Sequence, residues 1–193
     1  APVLASCFEV EGRYSEGVSW LAQAQRSLDP ERRADLAALA AIGVAHGRLL
    51  LRLGDPASAG PLLRQALDHA RAVDHHGQMI DGLVALGMFE SRRGANEVEI
   101  DCLRQARAIA LDDGDPERAA DIAGRIAVPL VRIGDLAEAE SMWRESLAAE
   151  RAGGRWQAAA HTACNLGRLL LEARRFDDAQ ALLKRMIAEK WVT

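Results

Sequence analysis

Apolar residues recur along this chain at helical spacing, in runs broken by short polar stretches. The clearest instance is residues 164–186, CNLGRLLLEARRFDDAQALLKRM. Leu166, Leu169, Leu170 and Ala173 fall on one helix face, a polar break follows at Glu172–Arg175, and Ala179, Leu182, Leu183 and Met186 repeat the spacing. Two such runs joined by a tight turn predict a helical hairpin. Its apolar faces are too large to be covered within one hairpin, so the hairpin is predicted to stack on copies of itself.

The copies are in phase. A small residue stands near the start of each second helix at Gly17, Ala59, Ala139 and Ala179, with Glu99 in the third copy. Five residues earlier lies the turn: Gly12, Gly54, Gly94, Gly134 and Arg174, at a nearly constant interval. Four residues after the small position comes a large apolar one (Leu21, Leu63, Leu103, Trp143, Leu183), and seven after it Ala24, Ala66, Ala106, Ser146 or Met186. Twelve before it stand Gly47, Gly87, Ala127 and Gly167, preceded by His46, Leu86, Ile126 and Leu166. A fixed period with several positions in phase predicts a stacked helical repeat.

The Leu-Gly pairs (Leu86-Gly87, Leu166-Gly167), the Gly-Asp turns and the paired small positions resemble the tetratricopeptide repeat (TPR) over nearly the whole chain. The resemblance implies an all-α, right-handed superhelical solenoid of about five antiparallel helical hairpins. The period of about 40 exceeds the roughly 34 of the standard repeat, and longer helices with wider connections between hairpins would absorb the excess. The repeats are expected over about 1–30, 31–74, 75–114, 115–153 and 154–193, as one domain 1–193 and a fragment of a larger protein. Helices are expected at 2–11, 14–28, 33–53, from 56 to about 73, 78–93, 95–112, 117–133, 135–152, 155–173 and 176–190. Residues 74–77 are expected as a connection. Pro61 should delay its helix to near Gly60 or kink it, and Pro129 should kink or break a turn. Asn96 with Glu99 three residues on reads as a capping box.

Composition narrows the function classes. Apolar residues make up 49% and charged residues 27%, but aromatics only 4%, so Ala and Leu do the packing, which favours helix over strand. A net charge of −4 gives no case for a nucleic-acid surface. Three scattered cysteines, Cys7, Cys102 and Cys164, argue against a disulfide framework and fit a reducing cytoplasm. Neither a signal peptide nor a run approaching a membrane span is read in the sequence.

Candidate chemistry is sparse. By resemblance to TPR grooves, first-helix residues line a concave surface. Arg52, Arg92 and Arg132 recur once per repeat and would stack as a ladder; Arg48 and Arg168 share a second equivalent position, filled by Met88 and Val128 elsewhere, with Arg125 nearby. Such guanidinium groups would suit a carboxylate or phosphate. The alternative is that they complement helix C-termini and pair internally, with Asp81 and Asp121 as a parallel acidic set. His161 lies one turn from Cys164, close enough for a pair, although a packing role for the cysteine is the simpler reading. His75-His76 lacks partners at metal-ligand spacing, and Asp112, Asp113 and Asp115 lack the calcium-loop pattern. Trp20 and Trp143 both read as packing between repeats. No phosphate loop, zinc-helix motif or nucleophile elbow occurs, so no enzyme, cofactor or metal is expected.

The segment GRYSEGVSWLAQAQ, the long first helices and the Asp-Gly or Asp-Pro connectors look like the helical C-terminal arms of LuxR-type and AfsR-type bacterial regulators, the signal-transduction ATPases. That resemblance implies a cytoplasmic, non-catalytic sensor or scaffold whose partners are a protein or peptide, other domains of the parent chain, or a second copy in a homodimer, without direct contact to nucleic acid or membrane. The other implied reading is a receptor for an anionic or polyhydroxyl inducer in the groove.

Overall fold

The computed structural model describes residues 7–190 except residue 9, with side chains to residue 188. The described residues form nine helices and no strand: α1 (Tyr14–Arg26), α2 (Arg33–Leu53), α3 (Pro56–Ala72), α4 (His76–Arg92), α5 (Asn96–Asp112), α6 (Pro116–Ile133), α7 (Leu136–Ala152), α8 (Trp156–Glu172) and α9 (Phe176–Lys190). These match the expected helices to within about one or two places at each end. Residues 7, 8, 10 and 11 are also helical; the rest of the helix expected at 2–11, and the tail at 191–193, lie outside the described residues.

From α2 onward the chain keeps one rhythm. A residue with positive φ stands at Gly54, Asp74, Gly94, Gly114, Gly134, Gly154 and Arg174, one after each helix from α2 to α8. At each, the amide one residue later bonds the carbonyl five residues before it, as in Asp55 N to Leu50 O (2.9 Å), Asp115 N to Ala110 O (2.9 Å) and Arg175 N to Leu170 O (2.8 Å). This is the Schellman closure, in which a left-handed residue satisfies the last carbonyls of a helix. Connections between hairpins therefore use the same tight turn as the turns within them. Beyond the six residues 27–32 between α1 and α2, the wider connections expected from the long period are absent; from α4 to α8 helices of nearly equal length fill it. Residues 74–77 correct the expectation likewise, because α4 already starts at His76.

The turns also start the next helix. Asp55, Asp115 and Asp135 each accept a hydrogen bond from the amide three residues on, at 3.1, 2.9 and 3.2 Å. His75 plays the same part for α4 through Nδ1, and His76 lies 3.4 Å from Asp74. Thus His75 and Asp115 serve as helix caps. Losing such a cap typically costs about 1 kcal/mol, so Asp135→Ala is expected to lower stability by about that amount, read by urea unfolding. At the start of α5 the Glu99 amide bonds the Ala95 carbonyl at 3.0 Å, so the backbone enters the helix at Ala95. Neither proline breaks its helix; α3 and α6 run through Pro61 and Pro129.

The chain divides into two compact units, residues 1–109 and 110–193. In the first, α1 to α4 pack in sequence, and α2 also packs on α4. Large residues fill the space over glycines. A Cβ on Gly47 would lie 2.5 Å from Leu63 Cδ2, and one on Gly60 2.6 Å from Phe89 Cζ. Helix α2 is long and apolar enough to cross a membrane, contrary to the sequence expectation, but most of it is buried inside this unit. Trp20 is 66% exposed, so its expected packing role fails.

In the second unit α6, α7, α8 and α9 pack in order around Ile126, Leu130, Leu166 and Leu170, all buried. Glu140 of α7 ties the last hairpin down, accepting from Arg144 at 2.7 Å and from Arg175 at 2.6 Å. Burial pushes the Glu140 carboxyl up, and the two guanidinium groups outweigh it, leaving it below the usual carboxylate range. A depressed acid stabilises the fold above its unfolded pKa and loses that contribution as pH falls through the folded one. The stability gap between the native chain and Glu140→Gln, roughly 1 kcal/mol or less, should therefore be flat above about pH 5 and close in acid below about pH 4. Thermal melts across that range check it.

Candidate functional site

In the second unit, three consecutive helices each turn one polar face to a common cavity of about 370 Å³. From α6 come Asp121, Gly124, Arg125 and Val128; from α8, Ala158, His161, Thr162 and Asn165. Both sets follow the i, i+3, i+4, i+7 spacing of one helix face. Helix α7 adds Trp143, Ser146 and Glu150, and Arg155 enters from the turn before α8.

The floor is buried and polar. Glu150 is only 6% exposed. Its Oε1 accepts from Thr162 Oγ1 at 3.1 Å and from Ser146 Oγ at 3.3 Å, while Oε2 has no partner. Gly124 lets α7 approach, because a Cβ there would lie 2.6 Å from Ser146 Oγ. One wall is the Arg155–Asp121 pair, with Nη1 donating to both carboxylate oxygens at 2.7 and 2.8 Å. These hydrogen bonds raise the Arg155 pKa above its ordinary value, so the side chain stays charged. Arg155 Nε lies 3.2 Å from Glu117 Oε1 but makes no hydrogen bond, which leaves a contact of charges, and Nη2 has no partner. Arg125 and His161 are exposed at the rim. Pro129 supplies no amide to the Arg125 carbonyl, which loses its usual helical donor beside the cavity.

Of the candidate residues read from the sequence, the structure brings Asp121, Arg125 and His161 together here. Asp121 is held by Arg155, the internal pairing considered for the acidic set. Arg168 pairs with Glu172 of its own helix at 3.1 Å. Arg52, Arg92 and Arg132 sit exposed in the last turns of α2, α4 and α6. Arg48 and Asp81 are exposed and Met88 half-buried, in the first unit. Cys164 faces a separate apolar cleft with Trp156, Leu183 and Met186, on the other side of α8 from the His161 cavity. Burial pushes the Cys102 thiol up, with the Glu90 charge adding to it, so it is no nucleophile at neutral pH.

The sequence reading passed over Glu150, Ser146 and Thr162. A signal for Glu150 existed. Four residues before each positive-φ turn residue stand Leu50, Ala70, Glu90, Ala110, Leu130, Glu150 and Leu170, all buried. Glutamate breaks an otherwise apolar series twice.

No protein-family model and no curated protein matches the chain. Solved structures do match. BtubC (BKLC) from P. vanneervenii is 21% identical, with a TM-score of 0.75 over 94% of this chain and 72% of that one. A signal-transduction ATPase (STAND) protein with a tetratricopeptide repeat sensor, from Pyrococcus horikoshii, is 12% identical, with a TM-score of 0.83 over 97% of this chain and 28% of its own. The Rap conjugation gene regulator of plasmid pLS20, in complex with the Phr* peptide, is 17% identical, with a TM-score of 0.73 over 97% and 51%. These likenesses show the fold: an all-helical solenoid of TPR-like repeats.

Proposed function

We propose that this chain is a non-catalytic interaction module that holds a peptide or protein segment, as the sensor or scaffold part of a bacterial multidomain regulator. The observation that carries the reading is the cavity of the second unit, where α6, α7 and α8 each contribute polar side chains at one-face spacing and leave donors and acceptors without partners. Regulators among the structural neighbours support it, one with a TPR sensor and one bound to a peptide. Selection of a displayed random-peptide library on the purified chain tests it. Peptides should enrich, and the double variant Arg125→Ala/His161→Ala should weaken them about tenfold, equivalent to roughly 1.4 kcal/mol, by calorimetric titration. Failure to enrich any peptide would sink the reading. The second reading, a small-molecule receptor, draws on the cavity volume of about 370 Å³, since ligand pockets span roughly 300–1,000 Å³. A persistent extra mass in native mass spectrometry of the purified chain would favour it.

A further inference from the structure

Glu90 and Glu150 hold the same place in the turn rhythm, four residues before Gly94 and Gly154, and both are 6% exposed. Their surroundings differ. Glu90 meets Arg93 Nη1 at 2.9 Å and Arg64 Nη2 at 3.5 Å, so its charge is compensated. Glu150 accepts hydrogen bonds only from the neutral hydroxyls of Ser146 and Thr162, both on one oxygen. Arg155 stands along the same cavity and feels the Glu150 charge, but its hydrogen bonds go to Asp121 and its other close carboxylate is Glu117. A carboxylate withdrawn from water without a hydrogen-bonded counter-charge is costly, and natural folds supply such groups with a partner. Alanine at positions 70 and 110, the same place in the other second helices, and leucine at 50, 130 and 170 in the first helices show that the fold itself has no need of an acid there.

We propose that the α6–α8 cavity is a subsite for an organic cation, an ammonium or guanidinium head, received by Glu150 Oε2. Arg155 Nη2, also without a partner, is left to donate to a carbonyl beside that head. An anion is disfavoured, because it would meet the open Glu150 Oε2, which accepts and cannot donate when ionised. Resting on the interaction-module reading, the proposal makes the occupant the lysine or arginine side chain of a bound peptide; a free amine has the same chemistry, and the test separates the two.

The full chain is titrated with agmatine, with the capped tripeptide acetyl-Gly-Arg-Gly-amide, with its citrulline analogue and with acetate. Amide shifts of Ser146, Glu150 and Thr162 in nitrogen-15 NMR spectra report occupancy. Both cations should give saturable shifts, the tripeptide binding at least about tenfold tighter, while citrulline and acetate give none. Glu150→Gln should weaken the cations at least about tenfold, as expected for a lost charged hydrogen bond.

Glu150→Leu, which restores the apolar series, guards against a folding failure of the first variant. It should abolish binding and raise Tm by a few degrees, because Ser146 and Thr162 can turn back onto their own helix carbonyls. A fall in Tm with Glu150→Leu, or cation binding unchanged in Glu150→Gln, overturns the proposal, as does saturation by acetate alone. If agmatine binds and the tripeptide does not, the cation subsite stands and the peptide reading falls. If no cation binds while library peptides still enrich, the subsite falls and the interaction module stands.

Discussion

Replacing Trp143 by alanine is expected to destabilise the second unit by about 3–5 kcal/mol, the range for truncating a buried tryptophan. The indole is 2% exposed and stands at the large apolar place of its repeat, opposite Ala127 in the phasing. Leu63, Leu103 and Leu183 fill that place where a glycine stands opposite. The same ring walls the polar cavity, so its loss removes packing and admits water beside Glu150 together. Urea unfolding followed by circular dichroism measures the loss. A change below about 1 kcal/mol would mean that neighbours collapse into the space, contrary to the close packing described. Trp143→Phe keeps most of the volume and should recover more than half of the loss.

Gly47→Ala should destabilise the first unit by roughly 1–3 kcal/mol, the usual cost of overpacking a core. The sign is not obvious from sequence, since alanine inside a helix is favoured over glycine by about 1 kcal/mol. The geometry decides it. The added methyl would lie 2.5 and 2.6 Å from Leu63 Cδ2 and Cγ, and Leu63 is fully buried with nowhere to withdraw. Gly167 supplies the control. It stands at the same repeat position, yet a Cβ there meets nothing within 4 Å. Gly167→Ala is therefore expected to raise stability by roughly 0.5–1 kcal/mol. Melting curves of the two variants should move in opposite directions. Movement in the same direction would show that helix propensity, not the approach of the second helix, governs this position.

The contrast marks how far repeat phasing can be read. The phasing placed Gly47 and Gly167 alike because it counts residues along one chain. Whether the opposing leucine presses home depends on its own helix: Leu63 is buried against α2, while Leu183 is 46% exposed. Trp20 failed for the same reason. Its spacing put it on a helix, but the face it landed on is solvent. Connection lengths were misjudged because a long period can be divided in several ways, and only the backbone shows a left-handed residue at every half-period from Gly54 onward. Aspartate at one of those places, Asp74, hid the rhythm from a search for glycine.

The candidate site was legible in part. Asp121, Arg125 and His161 were singled out, and they do share a cavity. Their partner Arg155 was read only as the first residue of a helix, since nothing local links it to Asp121, from which the whole of α7 separates it along the chain. The arginines that looked most regular, Arg52, Arg92 and Arg132, do not line that cavity. A side chain in the last turn of a helix is drawn outward to water by its charge, and its regular spacing follows from the helix length alone.

By itself, then, the sequence determined the helices, their order and the hairpin repeat, because these rest on local rules: apolar residues every three or four places, glycine or aspartate at turns, small residues facing large ones. Tertiary structure alone decided which polar groups end up together and which remain without a partner. Glu90 and Glu150 occupy the same place in the rhythm, yet one is met by two arginines and the other by two hydroxyls. Electrostatic compensation of a buried charge depends on groups brought in from other helices, and that through-space distance is not encoded in the spacing along any one helix.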